Sequence, residues 1–154
     1  MPLERTAPLN RAWIAAHIPH HGRMCLLDEV LHFDAACISC RSGGHRAADH
    51  PLRAHGRLGA GCGIELAAQA MAVHGALLAP SSSLTPRFGY LASVRGVRLY
   101  VRRLDDVASD LICDARRIAG DAGTALYEFE LHSQGKRLLS GRASVVLDAA
   151  LVHA

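Results

Sequence analysis

The sequence centres on the stretch GIELAAQAMAVHGALLA, residues 63–79. Most of its residues are Ala, Leu, Met, Glu and Gln, which are good helix formers, so the stretch predicts one long helix. Its apolar face is formed by Ile64, Ala67, Ala68, Met71 and Leu78. The opposite side is also largely Ala, Val and Leu. A helix that is apolar nearly all round must be buried nearly all round, so other elements are expected to wrap it.

Apolar runs on both sides of this helix predict strands. They cover residues 24–33 and 36–41 before the helix, and residues 97–102, 111–118, 127–132 and 137–147 after it. In the run 127–132 the apolar residues Tyr127, Phe129 and Leu131 alternate with polar ones, which is the period of a half-buried strand. In the last run, one face is formed by Leu139, Ala143, Val145 and Leu147.

The connections between these segments complete the fold prediction. Residues 120–123 and 133–136 predict hairpin turns, and the Pro- and Ser-rich residues 80–86 predict a loop. Two strands, one buried helix and four strands predict an α+β fold, in which a curled antiparallel sheet wraps around the central helix of about residues 63–79. This is the hot-dog fold. A lone sheet of this kind has an open edge, so a dimer is expected.

The composition predicts one globular domain spanning residues 1–154. Half of the residues are apolar and 20% are charged, an ordinary globular balance. The net charge of +3, without a block of Lys or Arg, argues against nucleic acid as a partner. The first residues do not resemble a secretory signal, and Glu65, Gln69 and His74 interrupt the most apolar stretch, so no membrane span is expected. Five cysteines without an export signal predict a reduced, cytoplasmic protein.

The residues best suited to chemistry lie in DHPLRAHGRLGAGCGIELAAQ, residues 49–69. Glu65 is a carboxylate on an otherwise apolar helix. Burial is expected to raise its pKa, so that it can act as a general acid. The alternative is an acid that merely stabilises a helix N-terminus. Gln69, one turn further on, and His50 upstream favour the functional interpretation.

His50 and the glycines after it are the other candidates. His50 precedes Pro51, which favours an extended backbone, and a loop histidine can carry protons at neutral pH. Its place before the glycine-rich turn distinguishes it from His45, His55 and His74, for which a structural or solvated position is expected. The glycines of that turn are Gly59, Gly61 and Gly63. Because glycines leave the backbone accessible, the N–H groups of this turn could bind a developing negative charge on the substrate. The alternative is an ordinary flexible turn.

Three further clusters are weaker signals. Cys37 and Cys40 are three apart on a predicted strand, so they point to opposite faces, and no metal site is expected there. A second group, His17, His20 and His21, has no carboxylate or cysteine spacing that supports metal binding. The third cluster is the arginine row Arg95, Arg98, Arg102 and Arg103. It is either a solvated strand face or a surface for phosphate or an acidic protein, and the second interpretation is slightly favoured.

Several of these stretches resemble a known family. IPHHGRMCLLDEV, residues 18–30, resembles the start of hot-dog 3-hydroxyacyl-[acyl carrier protein] dehydratases. The stretch from His50 through residues 63–65 to 68–70 resembles their catalytic loop and helix, and residues 96–99 resemble one strand. The likeness is nearest to the branch of aryl polyene gene clusters, which is hydroxymyristoyl-carrier-protein dehydratase-like. The chain departs from the pattern after His50, where Pro51 begins a reshaped loop that places Glu65 fifteen residues on.

The resemblance implies dehydration of a 3-hydroxyacyl chain carried on the phosphopantetheine of acyl carrier protein (ACP). His50 would remove the C2 proton, and Glu65 would protonate the leaving hydroxyl to give a trans-2-enoyl thioester and water. The oxyanion and substrate contacts would come from Gly61, Cys62, Gly63 and Gln69. The arginine row would bind ACP, and no metal or other cofactor would be needed. Related dehydratases take the His and the acid of one site from two subunits.

Two alternatives belong to other functional classes. A hot-dog thioesterase uses the same fold and a similar acid, but it activates water and releases a free acid. A non-catalytic subunit of a heterodimeric dehydratase would depend on a second hot-dog chain for activity, and the reshaped loop after His50 keeps this interpretation open.

Overall fold

The computed structural model describes residues 9–79, 90–121 and 123–146. Two helices and six strands follow one another along the chain. They are α1 (Arg11–His17), β1 (Glu29–Phe33), β2 (Cys37–Ser42), α2 (Gly63–Leu78), β3 (Tyr90–Leu99), β4 (Leu111–Gly120), β5 (Thr124–Ser133) and β6 (Lys136–Val146). Short 3-10 helices cover Gly22–Met24, Gly44–Arg46 and Ala60–Cys62.

The six strands form one antiparallel sheet in the order β1-β2-β4-β5-β6-β3, and the sheet is not closed. The predicted succession of two strands, one long helix and four strands is confirmed. Gln134 and Gly135 turn the chain between β5 and β6 with positive φ angles of 50° and 78°, as expected for a tight hairpin. Between β4 and β5, Asp121 Oδ1 accepts the N–H groups of Gly123 and Thr124. The loop predicted at residues 80–86 and the strand residue Leu147 lie outside the described residues.

Helix α2 packs on the concave side of the sheet, mainly against β2, β4 and β5. All of its residues are buried or half-buried, which confirms the prediction for an all-round apolar helix. The first residue, Gly63, allows this close approach, because a Cβ atom there would lie 2.3 Å from Leu139 Cδ2. The helical run Ala60–Leu78 is long and apolar enough to cross a membrane, contrary to the expectation above, but half of it is buried inside the protein. Packing under the sheet accounts for its apolar character.

A buried polar contact also joins α2 to the sheet. His74, with no exposed surface, bonds through Nδ1 to the hydroxyl of Tyr127 at 2.7 Å and through Nε2 to the carbonyl of Asp34 at 2.8 Å. Because a carbonyl only accepts, Nε2 carries the proton and Nδ1 accepts from Tyr127. His74 is therefore a neutral structural residue.

The differences from the sequence prediction lie at the ends of elements. The first strand begins at Glu29 instead of residue 24, because Gly22–Met24 forms a 3-10 turn. β3 ends at Leu99 and begins at Tyr90, seven residues before the predicted run. Helix α1 was not predicted, since seven residues are too few for a clear period. The Asn10 side chain caps this helix by accepting the N–H of Trp13 at 3.0 Å.

Candidate active site

Glu65 lies in the first turn of α2, and two side chains donate to the same oxygen of its carboxylate. His20 Nε2 lies 2.7 Å from Glu65 Oε1, and Gln69 Nε2 lies 3.3 Å from that atom. Within the described residues, Oε2 takes part in no hydrogen bond or ion pair. The side chain is 32% exposed, so this second oxygen remains accessible. The carboxylate is thus held at one oxygen and open at the other.

Gln69 is fully buried and connects Glu65 to the segment that follows His20. Its Oε1 accepts the N–H of Leu26 at 2.9 Å, and its Nε2 donates to the carbonyl of Met24 at 2.7 Å as well as to Glu65. All three contacts are within the protein. These contacts show that Gln69 supports Glu65, and the predicted contact of Gln69 with substrate stays a prediction.

The pKa of Glu65 is lowered, and the hydrogen bond from His20 is the main cause. Burial raises this pKa, but the donors His20 and Gln69 together outweigh burial. The prediction that the pKa of Glu65 is raised overall is therefore wrong for this structure, although burial acts in the predicted direction. The physical reason is a partner 45 residues away that lies beside the carboxylate only in the folded chain. Glu65 is ionised at neutral pH.

A small apolar cavity adjoins the carboxylate and is named here the Glu65 cavity. It has a volume of about 220 Å³ and is lined by Pro19, His20, Glu65, Ala68, Ala72, Leu91 and Val145. Apart from His20 and Glu65 the lining is apolar. Leu91 belongs to β3, which is an edge strand of the sheet, and 42% of its surface is exposed. The cavity therefore lies beside a strand edge that no described residue covers, and a chain paired with β3 would close it on that side.

His50 does not share the Glu65 cavity within one chain. It lines a separate cavity of about 140 Å³ together with Arg23 and Cys25. Its Nδ1 accepts the N–H of Leu52 at 3.1 Å, so the imidazole takes part in the turn of its own loop. Burial, followed by the charges of His45 and Arg53, lowers the pKa of His50. Whether a second subunit brings a His50 to Glu65 stays a prediction.

Some backbone N–H groups of the glycine-rich turn form hydrogen bonds within the turn itself. Cys62 donates its N–H to Gly59 O at 3.0 Å, and Gly63 donates to the carbonyls of Ala60 and Gly61. Gly63 is also buried against the sheet, whereas Gly61 is exposed with open space around it. Of the three predicted oxyanion donors, Gly61 has the most open surroundings.

The carboxylate of Asp105 binds residues on the N-terminal side of the glycine-rich turn, and Asp105 was not predicted as a site residue. Its side chain is only 4% exposed; Oδ1 accepts the N–H of Leu58 at 2.9 Å, and Oδ2 accepts from Arg53 at 2.9 Å. Arg103 donates to both oxygens, and this bond is the main reason why the pKa of Asp105 lies far below its usual range. The Asp105 carboxylate therefore connects the loop after His50 to the segment after β3.

The four arginines of the arginine row do not lie on one strand. Arg95 and Arg98 lie on β3 on either side of a register shift, while Arg102 and Arg103 follow the end of that strand at Leu99. Arg103 is paired with Asp105, whereas Arg95, Arg98 and Arg102 form no ion pair within the described part of the chain. Arg98 lines a groove of about 740 Å³ on the outer sheet face, which contains neither Glu65 nor His50. The prediction of four basic side chains on one strand is therefore wrong, because β3 ends early.

His20 is the residue that sequence reasoning placed in the wrong group. It was considered with His17 and His21 as a metal group, but His17 stacks on Trp13 in α1 at 3.9 Å and His20 bonds to Glu65. No cluster of three or more metal-ligating side chains occurs in the described residues. The available signal was the position of His20 in the stretch 18–30, which resembles a dehydratase motif.

One family model matches nearly the whole chain. It is described as ApeP-like, ApeP dehydratase, and it covers residues 12–152. No curated protein matches the chain in sequence.

Solved structures with a similar fold include dehydratases and thioesterases. The dehydratase heterocomplex ApeI:P from Xenorhabdus doucetiae is 23% identical, with 97% of each chain covered and a TM-score of 0.81. A mutant thioesterase from Pseudomonas aeruginosa is 18% identical, with 93% of this chain and 95% of that chain covered and a TM-score of 0.64. A hypothetical thioesterase with coenzyme A from Streptococcus pneumoniae is 11% identical, with 89% and 93% covered and a TM-score of 0.58. At these identities the likeness shows a shared hot-dog fold alone.

Proposed function

The chain belongs to the ApeP-like dehydratase family, and on this premise we propose that it removes water from 3-hydroxyacyl thioesters carried on ACP. The product is a trans-2-enoyl thioester. The observation that carries the proposal, beside the family, is the ionised and accessible Glu65 at the wall of an apolar cavity. Elimination of water next to a thioester needs a group that moves a proton and an apolar space for the acyl chain. The Glu65 cavity offers both.

The proposed substrate arrives on an acidic carrier. Arg95 and Arg98 on the edge strand β3, and Arg102 just beyond its end, are exposed basic side chains without an ion-pair partner in the described residues. Basic groups of this kind favour encounter with an acidic protein. Arg103 is excluded from this surface because Asp105 holds it.

The proposed active form contains a second hot-dog subunit paired at β3. The other edge strand, β1, is partly covered, since Val30 donates to the carbonyl of Leu9 and Asn10 pairs with Glu29. Within the described residues no strand pairs with the second side of the ten-residue β3, which exposes Leu91 and Leu99. A long open edge with apolar side chains favours pairing with another strand. The partner is either a second copy or a different hot-dog chain, and a chain paired at β3 would supply a second wall to the Glu65 cavity.

Thioester hydrolysis is the second candidate function. A specific observation favours it: an ionised carboxylate with one free oxygen is also suited to activate a water molecule. The two reactions leave different products, since dehydration keeps the acyl chain on its carrier.

The deciding experiment uses the full-length chain, alone and mixed with a second hot-dog subunit of the same organism. Each sample is incubated with 3-hydroxyacyl-ACP, and the carrier is analysed by mass spectrometry. Loss of water from the intact acyl carrier supports dehydration. Release of free 3-hydroxy acid with bare carrier supports hydrolysis instead, and activity that appears only in the mixture assigns this chain to a heterodimer.

A further inference from the structure

We propose that Glu65 is the group that accepts the C2 proton, and that His20 is a positioning residue that keeps Glu65 in its carboxylate form. This rests on the proposed dehydration and changes the roles within it, since the resemblance implies Glu65 as an acid. The inference comes from three features of the described residues: the shared oxygen Oε1, the free oxygen Oε2 and the unpaired nitrogen of His20.

The first feature is the way in which the carboxylate is held. Both donors, His20 Nε2 and Gln69 Nε2, bond to Oε1 at 2.7 Å and 3.3 Å. Hydrogen bonds from N–H donors are stronger to a carboxylate than to a protonated carboxyl, so two donors at one oxygen favour the charged form. Gln69 cannot turn away, because Leu26 and Met24 fix the two ends of its amide. The site therefore stabilises negative charge on Glu65 and leaves Oε2 for another group.

The second feature is the position of the His20 ring. Its Nε2 atom lies 2.7 Å from Glu65 Oε1 and donates to that oxygen. Its Nδ1 atom is buried and has no hydrogen-bond partner among the described residues. The enclosed Nδ1 is therefore not placed to take a proton from a substrate, and the contact of His20 with the site is the one to Glu65.

The proton transfers balance without a second titrating group. Glu65 Oε2 takes the proton from C2, and the C–H electron pair forms the C2–C3 double bond. The bond from C3 to its hydroxyl oxygen breaks, and the oxygen leaves with that electron pair. It takes the proton back from Oε2, so water leaves and Glu65 returns to the carboxylate. No oxidant, reductant or metal takes part in these steps.

His20 substitutions test the assignment, because Gln keeps an N–H at the position of Nε2 and Ala removes it. In the active full-length protein, with its partner subunit where one is needed, His20→Gln is expected to retain most enoyl formation. His20→Ala is expected to move the acidic limb of the pH–rate profile to higher pH, since the main cause of the lowered pKa of Glu65 is gone. His21→Ala, at the exposed neighbouring histidine, is the matched control and should leave the profile unchanged.

Two results overturn the proposal. If His20→Gln is as inactive as Glu65→Gln, then His20 itself carries protons. If His20→Ala lowers the rate but leaves the acidic limb in place, then its role is structural. NMR titration of the Glu65 carboxyl carbon separates this inference from the proposed function, because it needs no turnover. A pKa that rises in His20→Ala while the wild-type protein shows no dehydration supports the role of His20 and refutes only the reaction; an unchanged pKa refutes the role of His20.

Discussion

The Tyr127 hydroxyl donates to Nδ1 of His74 over 2.7 Å inside the core, and this bond connects α2 to β5. The two rings also meet edge to face, with centroids 5.7 Å apart. Burial raises the pKa of Tyr127 to about 12, so the hydroxyl keeps its proton throughout the usual pH range. The contact is a fixed donor–acceptor pair in the middle of the fold.

Removing the donor is expected to destabilise the protein. Tyr127→Phe keeps the ring and leaves Nδ1 of His74 buried without a partner, which costs about 1–3 kcal/mol in the free energy of unfolding. Urea titration followed by circular dichroism measures this difference. Tyr100→Phe is the control, because its hydroxyl makes a surface contact with Ser140. Equal stability of Tyr127→Phe and the wild type would show that the buried bond contributes nothing.

Stability is expected to fall as the solution becomes acidic. Burial lowers the pKa of His74 below its usual 6.5 in the folded chain. Below about pH 6.5 the unfolded chain binds a proton that the folded chain does not, so stability is lost as pH falls towards the folded-state value. Unfolding titrations between about pH 7 and about pH 5 measure the slope. His74→Gln should show a shallower slope than the wild type; identical slopes would place the acid sensitivity elsewhere.

Glu65→Gln is expected to abolish turnover while the fold survives. Gln has nearly the same shape but neither accepts nor donates a proton in the reaction, which costs about a hundredfold or more in rate. Enoyl formation and thermal unfolding are measured on the same preparation. Near-normal turnover in this variant would exclude Glu65 from the chemistry.

Asp105→Asn is expected to lower activity through the glycine-rich turn. The change removes the charge that holds Arg53 and Arg103 beside Leu58. A displaced turn costs about tenfold to a hundredfold in kcat/KM, because small shifts of a catalytic loop are felt strongly. Asp106→Asn is a neighbouring, exposed control. Hydrogen exchange of residues 53–63 should be faster in Asp105→Asn and unchanged in Asp106→Asn. If exchange is also unchanged in Asp105→Asn, the carboxylate of Asp105 does not stabilise the turn.

The exposed arginines are expected to bind ACP in a salt-dependent way. Arg98→Ala combined with Arg102→Ala should weaken binding by about fivefold at low salt, and the difference should shrink as salt rises. Arg116→Ala serves as the control, since that guanidinium is paired with Glu128 on the outer sheet face. If the affinity for ACP changes neither with the double substitution nor with the salt concentration, then ACP binds at another surface.

Periodicity explains what the sequence predicted well. The buried faces of β5 and β6 follow from alternation, and the burial of α2 follows from its all-round apolar composition. Short elements such as α1 and the ends of β1 and β3 were missed or shifted, because a single turn of chain has no readable period.

The candidate site was only partly predictable for a different reason. Glu65 stood out because charge on an apolar helix is unusual in the sequence itself. His20 and Asp105 act through partners that lie 45 and 47 residues away along the chain. Only the folded chain brings these partners together, and the hydrogen bond from His20 reverses the expected direction of the pKa of Glu65.

The absent side chain of Gly63 has a consequence for how this protein can evolve. A methyl group there would lie 2.3 Å from Leu139 and 2.8 Å from Leu131, both of them fully buried. A side chain at position 63 therefore requires both leucines to shift or to become smaller, and a smaller residue at either leucine alone opens a void under the helix. The residues that can occupy these three positions therefore depend on one another. Glu65 lies two residues after Gly63 in the same turn of α2. The distance of its carboxylate from the sheet therefore depends on how Gly63 packs against these leucines.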